Sequence, residues 1–257
     1  MSRTLFISDL HLDPARPAVI AALAEFLQEN SNCDALYILG DLFEAWVGDD
    51  DDAPLALDIA NLFRTFIAAG SPLFLMVGNR DFMLGTAFCE AVGAQLLQDP
   101  TVIDLYGTPT LLMHGDSLCT RDEEYMKFRA MARSPQWQAQ MMASSLDDRR
   151  ALAAQLRTIS KDAGSNKAQD IMDVTPEEVD RLMSEARVTR LIHGHTHRPA
   201  RHQVAEGERI VMGDWDATGW YIEATSKDLN LVKFAYQLNS FPSFSMIFIS
   251  FSDSSKL

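Results

Sequence analysis

Positive charge is scarce in this chain. Lys and Arg together number 22 against 36 Asp and Glu, a formal charge of −14. That balance excludes non-specific nucleic-acid binding, which needs surplus cations on one face, and no nucleic-acid partner is expected. Cysteine is scarce too. Cys33, Cys89 and Cys119 are odd in number, irregularly spaced and without a C-x-x-C pair. This argues against a disulfide framework and a thiolate metal site, and predicts reduced, buried or half-buried thiols in a cytosolic protein. No apolar run reaches the roughly 18–20 consecutive residues that a membrane-spanning helix needs. The opening "MSRTLFISDLHL" enters a strand-like segment at once, without the charged, apolar and small-residue pattern of a secretory signal. Histidine numbers only six, yet "LIHGHTHRP" (191–199) places His193, His195 and His197 within five positions.

What is present is a hydrophobic fraction of 47% over 257 residues, enough for one large core or a core with a sub-domain. Five segments share a pattern, an apolar run ending abruptly in polar groups, with Gly at the break in four of them. They are "TLFISDLH" (4–11), "ALYILGD" (35–41), "LFLMVGN" (73–79), "TLLMHGD" (110–116) and "RLIHGHTH" (190–197). Such short runs suit strands buried on both faces. Between the first three, residues 16–29 and 53–70 carry apolar residues at helical spacing, and Gly70 suits the end of the second helix. Strand alternating with helix predicts an α/β sheet, whose functional groups gather beyond the carboxyl ends of the strands. Residues 121–186 read as a helical, Met-rich insertion on a core made of 1–120 and 187–236. Strand-like runs return at 209–212, 219–224 and 229–234 and predict a second sheet. The tail 237–257 holds a Ser- and Pro-broken apolar stretch too short to span a bilayer. It reads either as an interfacial anchor or as a loosely packed end.

The strand ends collect Asp9, His11, Asp41, Asn79, His114, His195 and His197. Taken singly, each also reads as a cap, a turn or a hydrogen-bonded core histidine. Together they form a set of oxygen and imidazole ligands without thiolate, which suits Mn, Fe, Zn or Mg. The set is too large for one ion. If one carboxylate bridges, it divides into two four-ligand groups, and two metals about 3.5–4 Å apart form a clamp for displacement at phosphorus. His193 is read as structural or as a support behind the ligands. Arg80 reads either as a phosphate clamp or as a surface partner of Asp81. "GDDDD" (48–52) lacks the spacing of a calcium loop and reads as a solvated loop and helix N-cap. Arg149, Arg150, Arg157, Lys161 and Lys167 either pair with Asp147, Asp148 and Asp162 or meet an anionic substrate or headgroup. The methionines fit a core or an adaptable apolar groove.

"DLH", "GDLFE", "GNRDF", "HGD" and "GHTH" resemble, in order, the motifs of the calcineurin-like metallophosphoesterases. "ALYILGDLFEAWVGDDD", "GNRDFMLG", "HGDSLCT", "SKDAGSNKAQDIMDV" and "LIHGHTHRPA" are similar to the UDP-2,3-diacylglucosamine pyrophosphatases of bacterial lipid A biosynthesis, a resemblance covering about residues 3–235. The resemblance implies an α/β/β/α sandwich of two mixed sheets with a helical lid over the site. It implies two Mn ions per chain, one on Asp9, His11, Asp41 and His197, the other on Asp41, Asn79, His114 and His195, with Asp41 bridging. It implies catalytic roles for Asp41, Asn79, Arg80, His114 and His195. Substrate contacts are implied at Asn79, Arg80, Asp122, Ser160, Gly164, Lys167 and His195. Gly164 departs from the pattern, which has Asn there, so that contact falls to the backbone or is lost. The implied reaction is water attack on the uridine-side phosphorus of UDP-2,3-diacylglucosamine, giving UMP and 2,3-diacylglucosamine 1-phosphate. The implied setting is the cytoplasmic face of the inner membrane. The chain is expected there as a peripheral monomer against an anionic surface, with the lipid-linked UDP-sugar as substrate. Two rival readings are a phosphoesterase for soluble nucleotides or phosphodiesters, and a metal-poor scaffold that keeps the fold for binding.

Overall fold

In "TLFI", Leu5 and Ile7 point to one side of a strand and Phe6 to the other, and all three are fully buried. A strand covered on both faces must lie inside a layered fold. The structure, a computed structural model, describes residues 2–166, 171 and 173–236, the side chains of 161–166 excepted. The elements run β1 (Thr4–Ile7), α1 (Pro17–Glu29), β2 (Ala35–Leu39), α2 (Pro54–Ala68), β3 (Leu73–Met76), α3 (Thr86–Val92) and β4 (Gln95–Leu96). Next come β5 (Thr101–Leu105), β6 (Thr108–Leu112), α4 (Glu123–Ala132), α5 (Pro135–Met142), α6 (Leu146–Asn166) and α7 (Pro176–Ala186). The last are β7 (Arg190–His193), β8 (Ala200–Val204), β9 (Gly207–Val211), β10 (Gly219–Ala224) and β11 (Leu229–Phe234).

The strands form two mixed sheets, ordered β11-β10-β1-β2-β3-β4 and β5-β6-β7-β9-β8. Strand alternation assigns the layers. Leu5, Ile7, Leu36 and Ile38 pack with Leu23 and Phe26 of α1 and Phe63 of α2 on the outer face of the first sheet. Phe6, Leu39 and Met76 meet Leu112, Ile192 and Ile210 between the sheets. Leu111, Met113 and Leu191 face outward again, onto Val179 and Met183 of α7. The result is the expected α/β/β/α sandwich. Proline in the first turn starts α1, α2, α5 and α7, where its missing N–H costs no hydrogen bond. The Asn30 amide caps Phe26 O at 2.7 Å to end α1.

Three features differ from the sequence reading. Only the run at 209–212 lies in the second sheet, as β9, whereas β10 and β11 extend the first sheet, with β10 antiparallel to β1. Of the helices in 121–186, α7 packs on the second sheet, while α4, α5 and α6 flank the cavity described below. The run "GDDDD" is not simply solvated. Asp49 accepts from the Trp46 indole at 3.1 Å and from the Gly85 and Phe88 amides at 2.8 and 3.0 Å. Asp50 pairs with Arg149 at 2.7 Å, and Asp52 with Arg150 at 2.6 Å. Arg157 pairs with Glu44 at 2.6 Å. The α6 arginines therefore pair with Asp50, Asp51, Asp52 and Glu44, which fastens that helix to the core, and of the partners expected from the sequence only Asp147, among the described side chains, lies near, 3.9 Å from Arg150. All three cysteines are free and buried. Lys167 and the tail 237–257 lie outside the described residues.

Candidate metal centre

Each strand end must turn its polar side chain back over the sheet edge, and the backbone is bent to do so. Seven non-glycine residues among those described have positive φ, and five of them are Asp9 (56°), His11 (49°), Asp41 (52°), His195 (67°) and His197 (55°). Such conformations cost free energy and persist only where the surroundings impose them, typically at functional sites. Glycines supply the close approach. A Cβ on Gly78 would lie 2.1 Å from Asp41 Oδ1, and one on Gly194 would lie 2.2 Å from Asp9 Oδ2.

All seven candidate ligands converge. His11 Nε2 and His197 Nε2 are 3.2 Å apart. His114 Nε2 and His195 Nδ1 both point at Asn79 Oδ1, at 2.9 and 2.8 Å. Asp41 stands between the two groups, with Oδ2 3.8 Å from His11 Nε2 and Oδ1 3.7 Å from His114 Nε2. His197 Nε2 lies 3.3 Å from Asp9 Oδ1. Ligand atoms of Asp9, His11 and His197 lie within 4.8 Å of one another, as do those of Asp9, Asp41 and His114.

The residues fit divalent cation binding. Imidazole nitrogens face one another and a carboxylate rather than hydrogen-bond donors, while their far nitrogens rest on acceptors. His114 Nδ1 donates to Leu39 O at 2.9 Å, His197 Nδ1 lies 3.4 Å from Asp214 Oδ2, and His11 Nδ1 lies 3.2 Å from Glu44 Oε2. That outer support is how metal-binding histidines are oriented.

The electrostatics agree. Burial opposes charge on His114, but Asp41, Asp9 and Asp116 outweigh it and raise its pKa to about 9. At His197 burial is again overcome, by Asp9 and Asp214, and the pKa rises to about 10. Burial pushes Asp9 up, yet His197, His114 and His11 hold it well below the usual carboxylate range. His195 is driven down to about 4 by burial and by the His114 charge, so it stays neutral.

His193 is the last residue of β7 and stands apart from the ligands, because His195 and His197 lie beyond the strand where the backbone turns at positive φ. It is fully buried, accepts from Arg209 at 3.1 Å and bonds Gly194 O at 2.8 Å. Arg80 does not pair with Asp81. Asp81 is buried and accepts the Gly78 and Leu42 amides, both at 2.7 Å, fixing the turns that carry Asn79 and Asp41. Arg80 reaches Ser160 Oγ at 3.4 Å and lies 4.0 Å from Asp41. Asp122 caps α4, accepting from Tyr125 N at 3.1 Å, and also lines the cavity. Gly164 falls within α6.

Several supporting groups were not anticipated. Glu44 and Asp81 lie within "GDLFE" and "GNRDF", yet Arg157 and the Leu42 amide that they hold belong to other segments, and Asp214 follows no quoted motif. Asp116 accepts from Tyr125, from Arg129 at 2.8 Å and from Arg133 at 3.3 Å, which ties α4 to the site. Tyr125 stacks near His195, ring centres 6.2 Å apart.

A cavity of about 500 Å³ opens from the site. Its floor carries Asn79, Arg80, His195 and His197, and its walls carry Trp46, Phe82, Met83, Phe128, Trp137, Met141, Leu152, Leu156 and Ile159. An apolar chamber thus joins a polar, anion-attracting floor.

Calcineurin-like phosphoesterase is the family that matches residues 2–199. The chain is 54% identical over 233 residues to the UDP-2,3-diacylglucosamine hydrolase of Cellvibrio japonicus, covering 89% of this chain and 97% of that one. It is 52% identical over 227 residues to the enzyme of the same name from Marinobacter nauticus, covering 86% and 93%. Against the Pseudomonas aeruginosa enzyme of that name it is 52% identical over 224 residues, covering 85% and 93%. Likeness of this extent and coverage, with the strand-end residues drawn together, means that the chain belongs to the UDP-2,3-diacylglucosamine hydrolase family of calcineurin-like phosphoesterases.

Proposed function

We propose that this chain hydrolyses the pyrophosphate of UDP-2,3-diacylglucosamine to UMP and 2,3-diacylglucosamine 1-phosphate, as a step of lipid A biosynthesis. The observation that carries the reading is the apolar cavity continuous with the polar strand ends. A soluble nucleotide has no use for walls of Trp, Phe, Leu and Met, whereas two acyl chains do. Each buried methylene contributes about 0.8 kcal/mol, so partial burial of two chains outweighs most polar contacts.

Two Mn ions are the proposed cofactors, one on Asp9, His11, Asp41 and His197, the other on Asp41, Asn79, His114 and His195. Bound divalent ions lower the pKa of water and neutralise phosphate oxygens. Support for Asp41 as the bridge comes from its two oxygens, which face His11 and His114 at near-equal distances. Arg80 sits at the cavity floor with its Nε buried and without a hydrogen bond. We assign it to a non-bridging phosphate oxygen, where the guanidinium gains most as charge builds in the transition state. Ser160 and Asp122 border the same cavity and are assigned to the glucosamine 1-phosphate half, with Lys167 and Gly164 as further candidates from sequence. The water oxygen bonds to the uridine-side phosphorus, and the bridging P–O bond breaks with the lipid phosphate as leaving group.

No helix among the described residues is long and apolar enough to cross a membrane. Because the substrate is a membrane lipid, we place the chain peripherally on the cytoplasmic face of the inner membrane. The test is to supply Mn and compare UDP-2,3-diacylglucosamine with an unacylated UDP-sugar and a small phosphodiester. Strong preference for the acylated substrate is expected. Equal efficiency on both UDP-sugars would overturn the reading in favour of a soluble-nucleotide phosphoesterase.

A further inference from the structure

Glu44 follows β2, three residues beyond Asp41, and its two carboxylate oxygens are divided between the core and α6. Oε2 lies 3.2 Å from His11 Nδ1. Oε1 accepts a hydrogen bond from Arg157 Nε of α6 at 2.8 Å and is in ion-pair contact with Nη2 at 2.6 Å. His11 Nδ1 is buried and makes no aligned hydrogen bond. Glu44 is therefore the acceptor at hand when the ring settles with Nε2 on a cation.

We propose that Glu44 and Arg157 are positioning residues that couple the seating of helix α6 over the cavity to cation retention at His11. The inference rests on the reading of His11 as a metal ligand. An imidazole ligand is oriented and made more basic when a carboxylate holds its far N–H. Glu44 can do this only while its own side chain is fixed, and the two-point grip of Arg157 fixes it. That grip exists only when α6 is seated, with Leu156 and Ile159 forming the cavity wall. Substrate that closes α6 thereby tightens the centre that will act on it. Coupling is reciprocal, so cation binding must also make α6 harder to open.

Arg150 supplies the control. It fastens the start of the same helix to Asp51 and Asp52, by a route that leads to the surface loop rather than to His11. The experiment uses the full chain as wild type, E44Q, R157Q, the double variant and R150Q. Mn affinity is read by electron paramagnetic resonance of the free ion, and the opening of α6 by hydrogen exchange with and without Mn. In E44Q and R157Q the weakest Mn site should lose affinity by about ten-fold or more, the scale of removing an outer support. The double variant should be no weaker than E44Q. R150Q should keep wild-type Mn affinity while its α6 exchanges faster. Mn should slow α6 exchange in the wild type and in R150Q, but not in R157Q.

Wild-type Mn affinity in R157Q would overturn the coupling, and so would an equal loss in R150Q, which would mean that any loosening of α6 suffices. If E44Q does not fold, R157Q against R150Q decides alone. A wild type that takes up no Mn would overturn the metal reading itself and the coupling with it, and the wild-type arm separates that outcome from the others.

Discussion

The backbone N–H of His195 donates to both carboxylate oxygens of Asp9, at 3.1 and 3.0 Å. The first and the last of the strand-end motifs are thereby held to each other directly, before any ion binds. Asp9 is further fixed by a hydrogen bond from Ser8 Oγ. The geometry of the centre is thus set by protein contacts that a cation meets ready-made.

This close packing leaves no room at Gly194. A Cβ there would lie 2.2 Å from Asp9 Oδ2 and 2.4 Å from Ser8 Oγ. Gly194→Ala should destabilise the fold by about 1–3 kcal/mol, the usual range for overpacking, and should lower the metal content. Thermal denaturation with elemental analysis checks this. An unchanged Tm with full metal loading would mean that Asp9 relaxes freely.

Asp41→Ala should abolish turnover, because the two ligand groups would lose the side chain that faces both. Elemental analysis of the wild type should approach two transition ions per chain. A stoichiometry near zero after Mn reconstitution would rule out the dinuclear centre.

Arg80→Ala should reduce kcat/KM by roughly two orders of magnitude, the scale of losing one transition-state stabiliser, while metal content stays unchanged. Steady-state kinetics beside metal analysis decide it. Wild-type kinetics would remove Arg80 from the phosphate.

Metal loading should be coupled to pH with a definite sign. In the metal-free protein His114 and His197 hold protons up to about 9 and about 10. A cation must displace those protons, so Mn affinity should rise with pH from neutrality through that range. Mixing Mn with metal-free protein in weak buffer at neutral pH should release protons. Affinity that does not change with pH would show that the two rings are already neutral.

Hydrolysis in ¹⁸O-labelled water should place the label in UMP and leave the lipid phosphate unlabelled. Mass spectrometry of both products checks this. Label in the lipid product would reverse the placement of the substrate across the centre.

The five strand ends that carry the candidate ligands were legible because each is a short apolar run cut off by polar residues, with glycine at the break in four of them, a pattern that burial on both faces enforces. β5 and β8 escaped notice for the opposite reason. As edge strands with one wetted face, "TVIDL" and "ARHQV" alternate with polar residues and carry little apolar signal. The two-residue β4 is too short to leave any. β10 and β11 were legible as strands but not as members of the first sheet, since partner choice depends on pairing with β1 more than 200 residues away in the chain. Glu44, Asp81 and Asp214 were hidden because their roles are set by contacts with other segments, Glu44 with His11 and Arg157, Asp81 with the Leu42 amide and Asp214 with His197. "GDDDD" resembled solvated loop because its arginine partners lie almost 100 residues on.

The pairing of β1 with β10 has a consequence for the order in which the protein is made. β2 follows β1 closely in synthesis and can pair with it almost at once, but the other edge of β1 waits for residues 219–224. Throughout most of synthesis a largely apolar strand therefore shows an open edge, a template for pairing with other chains. A nascent chain halted before residue 219 can already hold every candidate ligand from Asp9 to His197 and still lack the strand that seals the sheet. Stalled or truncated translation products of this protein should consequently be cleared or aggregate rather than accumulate as partly active enzyme.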